Sequence, residues 1–306
     1  MLVAAAVLLA ACSDDGQATT ATSEPETPLS DPTTSMPSIV ASGGEPVTTP
    51  DSSVATTISP TTIADAFETR PGEVVRLVPE VISTIPRSTE AFTQGLELDG
   101  DRVVETSGLY GASFVRLVDP TDWSELARTS LPEDVFAEGA TVVGDRLIVL
   151  TWREEVAFVL DANDLGAVGE LAYGGEGWGL CELDDGRLAM SNGSSQVTFR
   201  DPEDLSVLAA VDVTLDGNPI DRLNELECVG GDIWANVWQT EQVLRIDPAT
   251  GVVEAVVDAD GLLEPDPADA DADDVLNGIA HLGADRFLIT GKRWPAAFEV
   301  RFVAAG

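Results

Sequence analysis

Lys292 is the only lysine among the 16 lysines and arginines of the chain. Lysine is a compact charge whose pKa moves with its surroundings, which arginine's does not, so a lysine that survives so strong an arginine bias is a candidate for chemistry. Three further polar positions join it. Glu138 stands in Ala-Glu-Gly (137–139), Asn224 opens Asn-Glu-Leu-Glu (224–227), and Gln94 stands in Phe-Thr-Gln-Gly (92–95). A carboxyl group can carry a proton between reacting atoms, and ammonium and carboxamide groups can donate to a developing oxyanion. Aromatic residues accompany them. Trp152 and Trp238 each end an alternating apolar run, and Trp178 lies in GGEGWGL (174–180), the largest side chain among four glycines. One tryptophan alone is most simply core filling. Three beside Gly or polar residues, at matching points of a repeat, read instead as walls of a pocket for an organic side chain. Glu176, in the same GGEGWGL, reads as solvated surface, and His281, the single histidine, as a structural residue.

Other chemistries find no support. No cluster of His, Cys and carboxylates has the spacing of zinc ligands, and there is no phosphate-binding loop, dinucleotide fingerprint or serine nucleophile elbow. The net charge is −38, from 54 acidic and 16 basic residues. Such a surface repels nucleic acid and anionic lipid, which argues against both as partners.

The candidate residues are far apart in the chain, so the fold must gather them. From about residue 70 short β-rich runs alternate with Gly/Asp turns, and no long helical period appears. Five hairpin-like units line up, with turns near 101, 145, 186, 231 and 285. The steps are about the length of a four-stranded propeller blade. A second hairpin follows each of the first four units, marked by Asp-Pro or Asp-Ala-Asn turn chemistry, as in FVRLVDPTDW and AFVLDANDL. The expectation is an all-β fold: a five-bladed β-propeller of four-stranded antiparallel blades over residues 70–306. Residues 74–84 supply the last strand of the final blade and close the ring. In such a ring the second strand of each unit ends at one rim of the channel. That brings Trp152, Trp238 and Lys292 together, with Gln94, Glu138, Glu176, Asn224, Glu225, Glu227 and Asn277 at similar heights. The acidic stretch 264–274 reads as a surface loop.

The N-terminal part is of another kind. Residues 2–11 are apolar, and Leu9-Ala10-Ala11-Cys12 has the form of a bacterial lipobox, although no Lys or Arg precedes Arg70. The apolar run is too short to span a bilayer as a helix. The reading is a signal segment over 1–11, lipidation at Cys12, and a disordered Ser/Thr/Pro/Asp-rich tether over 12–65 that cannot bury a core. The protein is then exported, and either lipid-anchored to the outer face of a bacterial cell membrane or secreted, with membrane contact only through the lipid. In an exported protein Cys181 and Cys228 can form one disulfide, which spacing alone does not decide.

The motifs AFTQGLELDG, SGLYGASFVRLVD, FAEGAT, LTW, GEGWGL, LNELECVGGDIWANVW, LNGIAH and GKRWP, in this order, resemble the plant and bacterial type of glutaminyl-peptide cyclotransferase over roughly residues 85–300. The resemblance implies a five-bladed propeller that converts the N-terminal glutamine of peptides or proteins to pyroglutamate with release of ammonia. The chain is expected to be a monomer that requires no cofactor, and a structural divalent ion in the channel is compatible with that reading. By the same resemblance Glu138 carries the proton; Lys292 and Asn224 can donate to the oxyanion with Gln94 positioning the substrate amide, and these three roles are interchangeable among the three residues. Phe92, Trp152, Trp178 and Trp238 enclose the apolar part of the glutamine side chain. Cys181, where a small hydroxyl residue is more typical, and Asn192, where aspartate is more usual, depart from the pattern without touching these positions. Two other classes stay open: a propeller lipoprotein that binds a peptide or glycan without chemistry, and a metal-dependent propeller hydrolase with oxygen ligands in the channel.

Overall fold

The computed structural model describes residues 73–263 and 274–306. The expected signal segment, Cys12 and the tether lie outside the described residues, as does the acidic stretch apart from Asp274. The described chain opens with β1 (Val75–Pro86). Blade 1 is β2 (Thr93–Asp99), β3 (Arg102–Ser107), β4 (Phe114–Val118) and β5 (Glu125–Ser130). Blade 2 is β6 (Ala137–Val143), β7 (Arg146–Thr151), β8 (Val156–Asp161) and β9 (Ala167–Ala172). Blade 3 is β10 (Leu180–Glu182), β11 (Leu188–Met190), β12 (Gln196–Arg200) and β13 (Val207–Asp212). A small hairpin of β14 (Thr214–Leu215) and β15 (Asn218–Pro219), which the repeat does not announce, leads into blade 4. That blade is β16 (Leu223–Val229), β17 (Asp232–Val237), β18 (Gln242–Ile246) and β19 (Val253–Asp258). Blade 5 has β20 (Leu276–Gly283), β21 (Arg286–Gly291) and β22 (Ala296–Ala304), and β1 is its fourth strand.

The ring closes as the sequence predicts. β1 runs antiparallel to β22 from Leu77 opposite Ala304 to Pro86 opposite Ala296. Its first residues also run parallel to β19, Val75 opposite Ala255, so blades 4 and 5 share one continuous sheet. The innermost strands β2, β6, β10, β16 and β20 touch in cyclic order, and β20 returns to β2.

One turn recurs in the outer hairpins of blades 1–4. Asp119, Asp161, Asp201 and Asp247 each accept, through a carboxylate oxygen, the N–H two residues on. The turn ends at Trp123, Leu165, Leu205 and Gly251, all with φ between 57° and 72°. A left-handed conformation costs a non-glycine residue about 1–2 kcal/mol. Burial offsets that cost: Trp123, Leu165 and Leu205 are almost fully buried, and burying such a side chain contributes about 1.5–3 kcal/mol.

The core is five apolar layers, one between each pair of neighbouring blades. Between blades 4 and 5, for example, the fully buried Trp234 packs on Phe287 and Phe302 at ring distances of 5.0 and 5.3 Å. Trp123, Trp234 and Trp294 are thus core residues, whereas Trp152, Trp178 and Trp238 are at the channel mouth. The channel itself is crossed by carboxylates. Edge N–H groups of the inner strands need acceptors. Glu225 of blade 4 accepts the N–H of Leu96 in blade 1 and of Ile279 in blade 5. Glu227 accepts that of His281, and Glu97 that of Val142. Burial raises all three carboxyls, Glu97 to about 8.

Candidate active site

The inner strands of four blades break register at the same place. The shift lies between Thr93 and Gly95, between Ala137 and Ala140, between Leu223 and Leu226, and between Leu276 and Ile279. A bulge re-aims the side chain it carries and ends regular pairing. The residues inside these bulges are Gln94, Glu138 with Gly139, Asn224 with Glu225, and Asn277 with Gly278. In blade 3 the corresponding residues are Trp178 and Gly179, just before β10. So the polar candidates and one tryptophan occupy a single ring of equivalent positions. Hydrogen bonds between blades hold that ring: the Thr106 hydroxyl donates to the Glu138 carbonyl, Gly139 N–H to the Trp178 carbonyl, and the Ser191 hydroxyl to the Asn224 carbonyl.

The ring opens into a cavity of about 360 Å³. All eight residues expected at the site line it: Glu138, Lys292, Asn224, Phe92, Gln94, Trp152, Trp178 and Trp238. Leu109, Phe136 and Arg293 also line it and were not among those expected. Phe136 precedes the Ala-Glu-Gly motif directly. It is edge-on to Phe92 at 6.2 Å and tilted against Trp152 at 5.6 Å. Trp178 meets Trp238 edge to face at 5.6 Å. Lys292 Nζ lies 4.9 Å from the centre of the Phe92 ring, an attractive cation–π geometry. His281 is away from the cavity, with its ring Nε2 3.1 Å from the Ala284 carbonyl.

Glu138 is buried among these rings. Burial pushes its carboxyl well above the ordinary range, opposed by Lys292 and reinforced by Glu176 and Glu154. Gln94 Nε2 donates to Glu138 Oε1 at 3.4 Å. Gln94 Oε1 in turn accepts from Asn277 Nδ2 at 3.2 Å, and the same nitrogen donates to the Thr93 carbonyl. Asn277 therefore sets which end of the Gln94 amide faces Glu138. The Asn224 side-chain oxygen is buried and has no hydrogen-bond partner in the protein, so it can accept an N–H from a ligand. Among the described residues no group of three or more His, Cys, Asp and Glu side chains is arranged to hold a metal ion.

GGEGWGL now has a structural reason. Gly193 has φ 78°, and a Cβ there would lie 2.6 Å from the Trp178 ring. A Cβ on Gly179 would lie 2.2 Å from the Asn224 carbonyl oxygen. Gly179 thus makes room for the neighbouring blade, and Gly193, outside the motif, makes room for the Trp178 indole. Glu176 is not merely solvated either: its Oε2 accepts from Nε1 of Trp152 at 2.9 Å and of Trp178 at 3.1 Å.

The sequence matches the model of a family described as glutamine cyclotransferase over residues 53–302. The chain belongs to the glutamine cyclotransferase family. It is 34% identical over 233 residues to the glutaminyl-peptide cyclotransferase of Arabidopsis thaliana, covering 74% of this chain and 72% of the relative. The crystal structure of Myxococcus xanthus glutaminyl cyclase superposes with a TM-score of 0.70 at 38% identity, over 76% of this chain and the whole of that one. The cavity has the size and the apolar lining that a small organic side chain needs. Among the described residues no helix is long and apolar enough to cross a membrane.

Proposed function

We propose that the cavity folds an N-terminal glutamine onto itself and that Glu138 moves both protons of the reaction. Family membership makes the chain a glutaminyl-peptide cyclotransferase, converting N-terminal glutamine to pyroglutamate with release of ammonia. The α-amine nitrogen attacks the side-chain carboxamide carbon, forming one C–N bond. The carbonyl oxygen becomes an oxyanion. Its collapse breaks the bond to the amide nitrogen, which departs as ammonia. Ring closure is intramolecular, so holding the side chain in the near-attack shape supplies much of the acceleration.

The observation that carries the assignment is a buried carboxyl, Glu138, sharing an aromatic cavity with Lys292 and Asn224. A carboxyl raised by burial is a competent base toward the amine and then, protonated, an acid toward the leaving nitrogen. Lys292 donates to the oxyanion. Asn224 donates to it as well through its amide nitrogen, and its partnerless side-chain oxygen accepts from the substrate carboxamide. Gln94, held by Asn277, steadies Glu138. Phe92, Trp152, Trp178 and Trp238 exclude water and enclose the methylenes of the substrate. None of these steps calls on a metal or other cofactor. The substrates are peptides or proteins that begin with glutamine. Export, with a lipid at Cys12 or by secretion, is supported by the lipobox and by the Cys181–Cys228 disulfide.

The test is ammonia release from a Gln-initiated dipeptide by the wild type and by Glu138→Gln, each with and without EDTA. Release by the wild type alone, unchanged by chelator, is the expected result. Full activity in Glu138→Gln would sink the proton-carrier assignment, and loss with EDTA would reinstate a metal.

A further inference from the structure

The Glu176 carboxylate joins two blades through their tryptophans. Trp152 follows β7 of blade 2, and Trp178 precedes β10 of blade 3. A single oxygen, Oε2, accepts both indole N–H groups, while Oε1 accepts Arg153 Nε at 3.0 Å. The Arg153 guanidinium in turn lies 3.5 Å from the centre of the Trp152 ring. An indole can turn about two side-chain bonds, and its N–H is the one polar atom able to fix the turn. The contacts continue inward: Trp152 rests on Phe136 and Trp178 on Trp238. An ordinary surface glutamate has no need of three donors from two blades.

We propose that Glu176 is a positioning residue, setting the two indole walls that grip the methylenes of the substrate glutamine. This deepens the cyclisation reading above and rests on it. Flat apolar walls act on binding before they act on proton transfer, so the residue's removal falls on KM more than on kcat.

The side chain can be changed in two instructive ways. Glu176→Gln keeps a carbonyl oxygen for both indoles. Glu176→Leu keeps the bulk and removes every acceptor. Steady-state cyclisation of a Gln-initiated peptide is measured together with the indole N–H resonances, assigned through Trp152→Phe and Trp178→Phe. In Glu176→Leu we expect KM to rise about tenfold, the loss attached to a charge-assisted hydrogen bond, with kcat within about threefold. Glu176→Gln should stay within about threefold of wild type in KM. The resonances of Trp152 and Trp178 should move in the Leu variant and those of the other tryptophans should not. An unchanged KM in Glu176→Leu, an equal rise in both variants, or unmoved resonances would overturn the proposal. Should Glu176→Leu not fold, Trp152→Phe and Trp178→Phe carry the test, since each deletes one donor and keeps a ring. Both must then raise KM more than kcat, and an unchanged KM in both overturns it. A fully active Glu138→Gln would count against the proton-carrier assignment alone and leave this judgement standing.

Discussion

Gln94 and Glu138 sit in equivalent bulges of neighbouring blades, and the carboxamide of one donates to the carboxylate of the other at 3.4 Å. The amide is oriented from behind by Asn277, which belongs to the blade on the other side. A chain of three side chains from three blades thus ends on the group assigned to proton transfer. Gln94→Leu is expected to lower kcat by about tenfold or more, on the scale of one displaced donor at a reacting centre. Asn277→Ala should reproduce part of that loss because it acts through Gln94. In the double variant the two effects should not add, which is the signature of a shared path. Independent, additive losses in a double-mutant cycle would count against it.

The pH dependence has a sign that can be worked out. Burial raises the Glu138 carboxyl, and the charged groups acting on it are Lys292, Glu176 and Glu154. The ascending limb of kcat/KM reports deprotonation of the free enzyme's base. Removing a positive neighbour raises the base further, so Lys292→Met should move that limb to higher pH. Removing a negative neighbour lowers it, so Glu176→Gln should move it to lower pH. The substrate amine titrates alike in every assay, so the displacement between variants isolates Glu138. Shifts of the same sign in both variants would show that another group sets the limb.

Turn chemistry and strand alternation make most of the fold legible in the sequence. Blade number and length follow from the Gly/Asp turns of the five hairpin units, because each turn type is a local property of a few residues, and the closing role of β1 follows from the second hairpin that only the first four units have. The eight cavity residues that the sequence yields are legible through their motifs, and Trp152, Trp238 and Lys292 also through their matching places in the repeat. What stays hidden depends on contacts between blades. Phe136 is one more apolar residue until its ring is seen between Phe92 and Trp152. Glu176 is a lone acid before glycine until two indoles from different blades converge on it. The bulges leave no pattern of their own, since Gly follows Gln94, Glu138 and Asn277 but Glu225 follows Asn224. That one exception is the carboxylate that reaches across the channel to Leu96 and Ile279.

The seam where the ring closes carries a buried ion cluster. Glu105 of blade 1 takes Arg87 Nη2 at 2.6 Å on one oxygen and Arg116 Nη2 at 2.7 Å on the other, and Arg87 also donates to Thr290 of blade 5. Burial alone would raise the Glu105 carboxyl, but Arg87 and Arg116 outweigh it and hold it below the usual range. Glu105→Gln removes the carboxylate that two buried guanidiniums share and leaves Arg87 without its ion-pair partner, while Arg116 keeps Glu90 at 3.2 Å; the cost is about 3–5 kcal/mol. A depressed carboxyl contributes stability that is present above the unfolded-state pKa, about 4.3, and is lost as pH falls through the folded value. The gap between wild type and variant in urea unfolding should therefore be full at pH 7 and shrink on acidification. Glu97, Glu225 and Glu227 titrate with the opposite sign in both proteins and cancel from the difference. A gap that widened in acid would contradict the assignment.

The disulfide between Cys181 and Cys228 settles a pairing that spacing leaves open, and it joins β10 to β16. Trp178 lies three residues before one cysteine and Asn224 four before the other. The bond closes a loop of 47 residues, for which chain-entropy reasoning gives about 4 kcal/mol of stabilisation. In a domain of this size that corresponds to a fall in Tm of about 10 °C when both cysteines are replaced by serine. Reductant should bring the wild type down to the same Tm and leave the variant where it is. Activity at 25 °C should behave differently. The rim is also held by the Ser191 hydroxyl, which accepts from Gly179 N–H and donates to the Asn224 carbonyl, and those bonds do not depend on the disulfide. Cyclisation should thus stay within about threefold of wild type in the double variant, since the ring hydrogen bonds keep Trp178 and Asn224 in place. A large loss of activity in a protein still fully folded at that temperature would mean that the disulfide, and not the serine, sets the spacing of these two cavity residues.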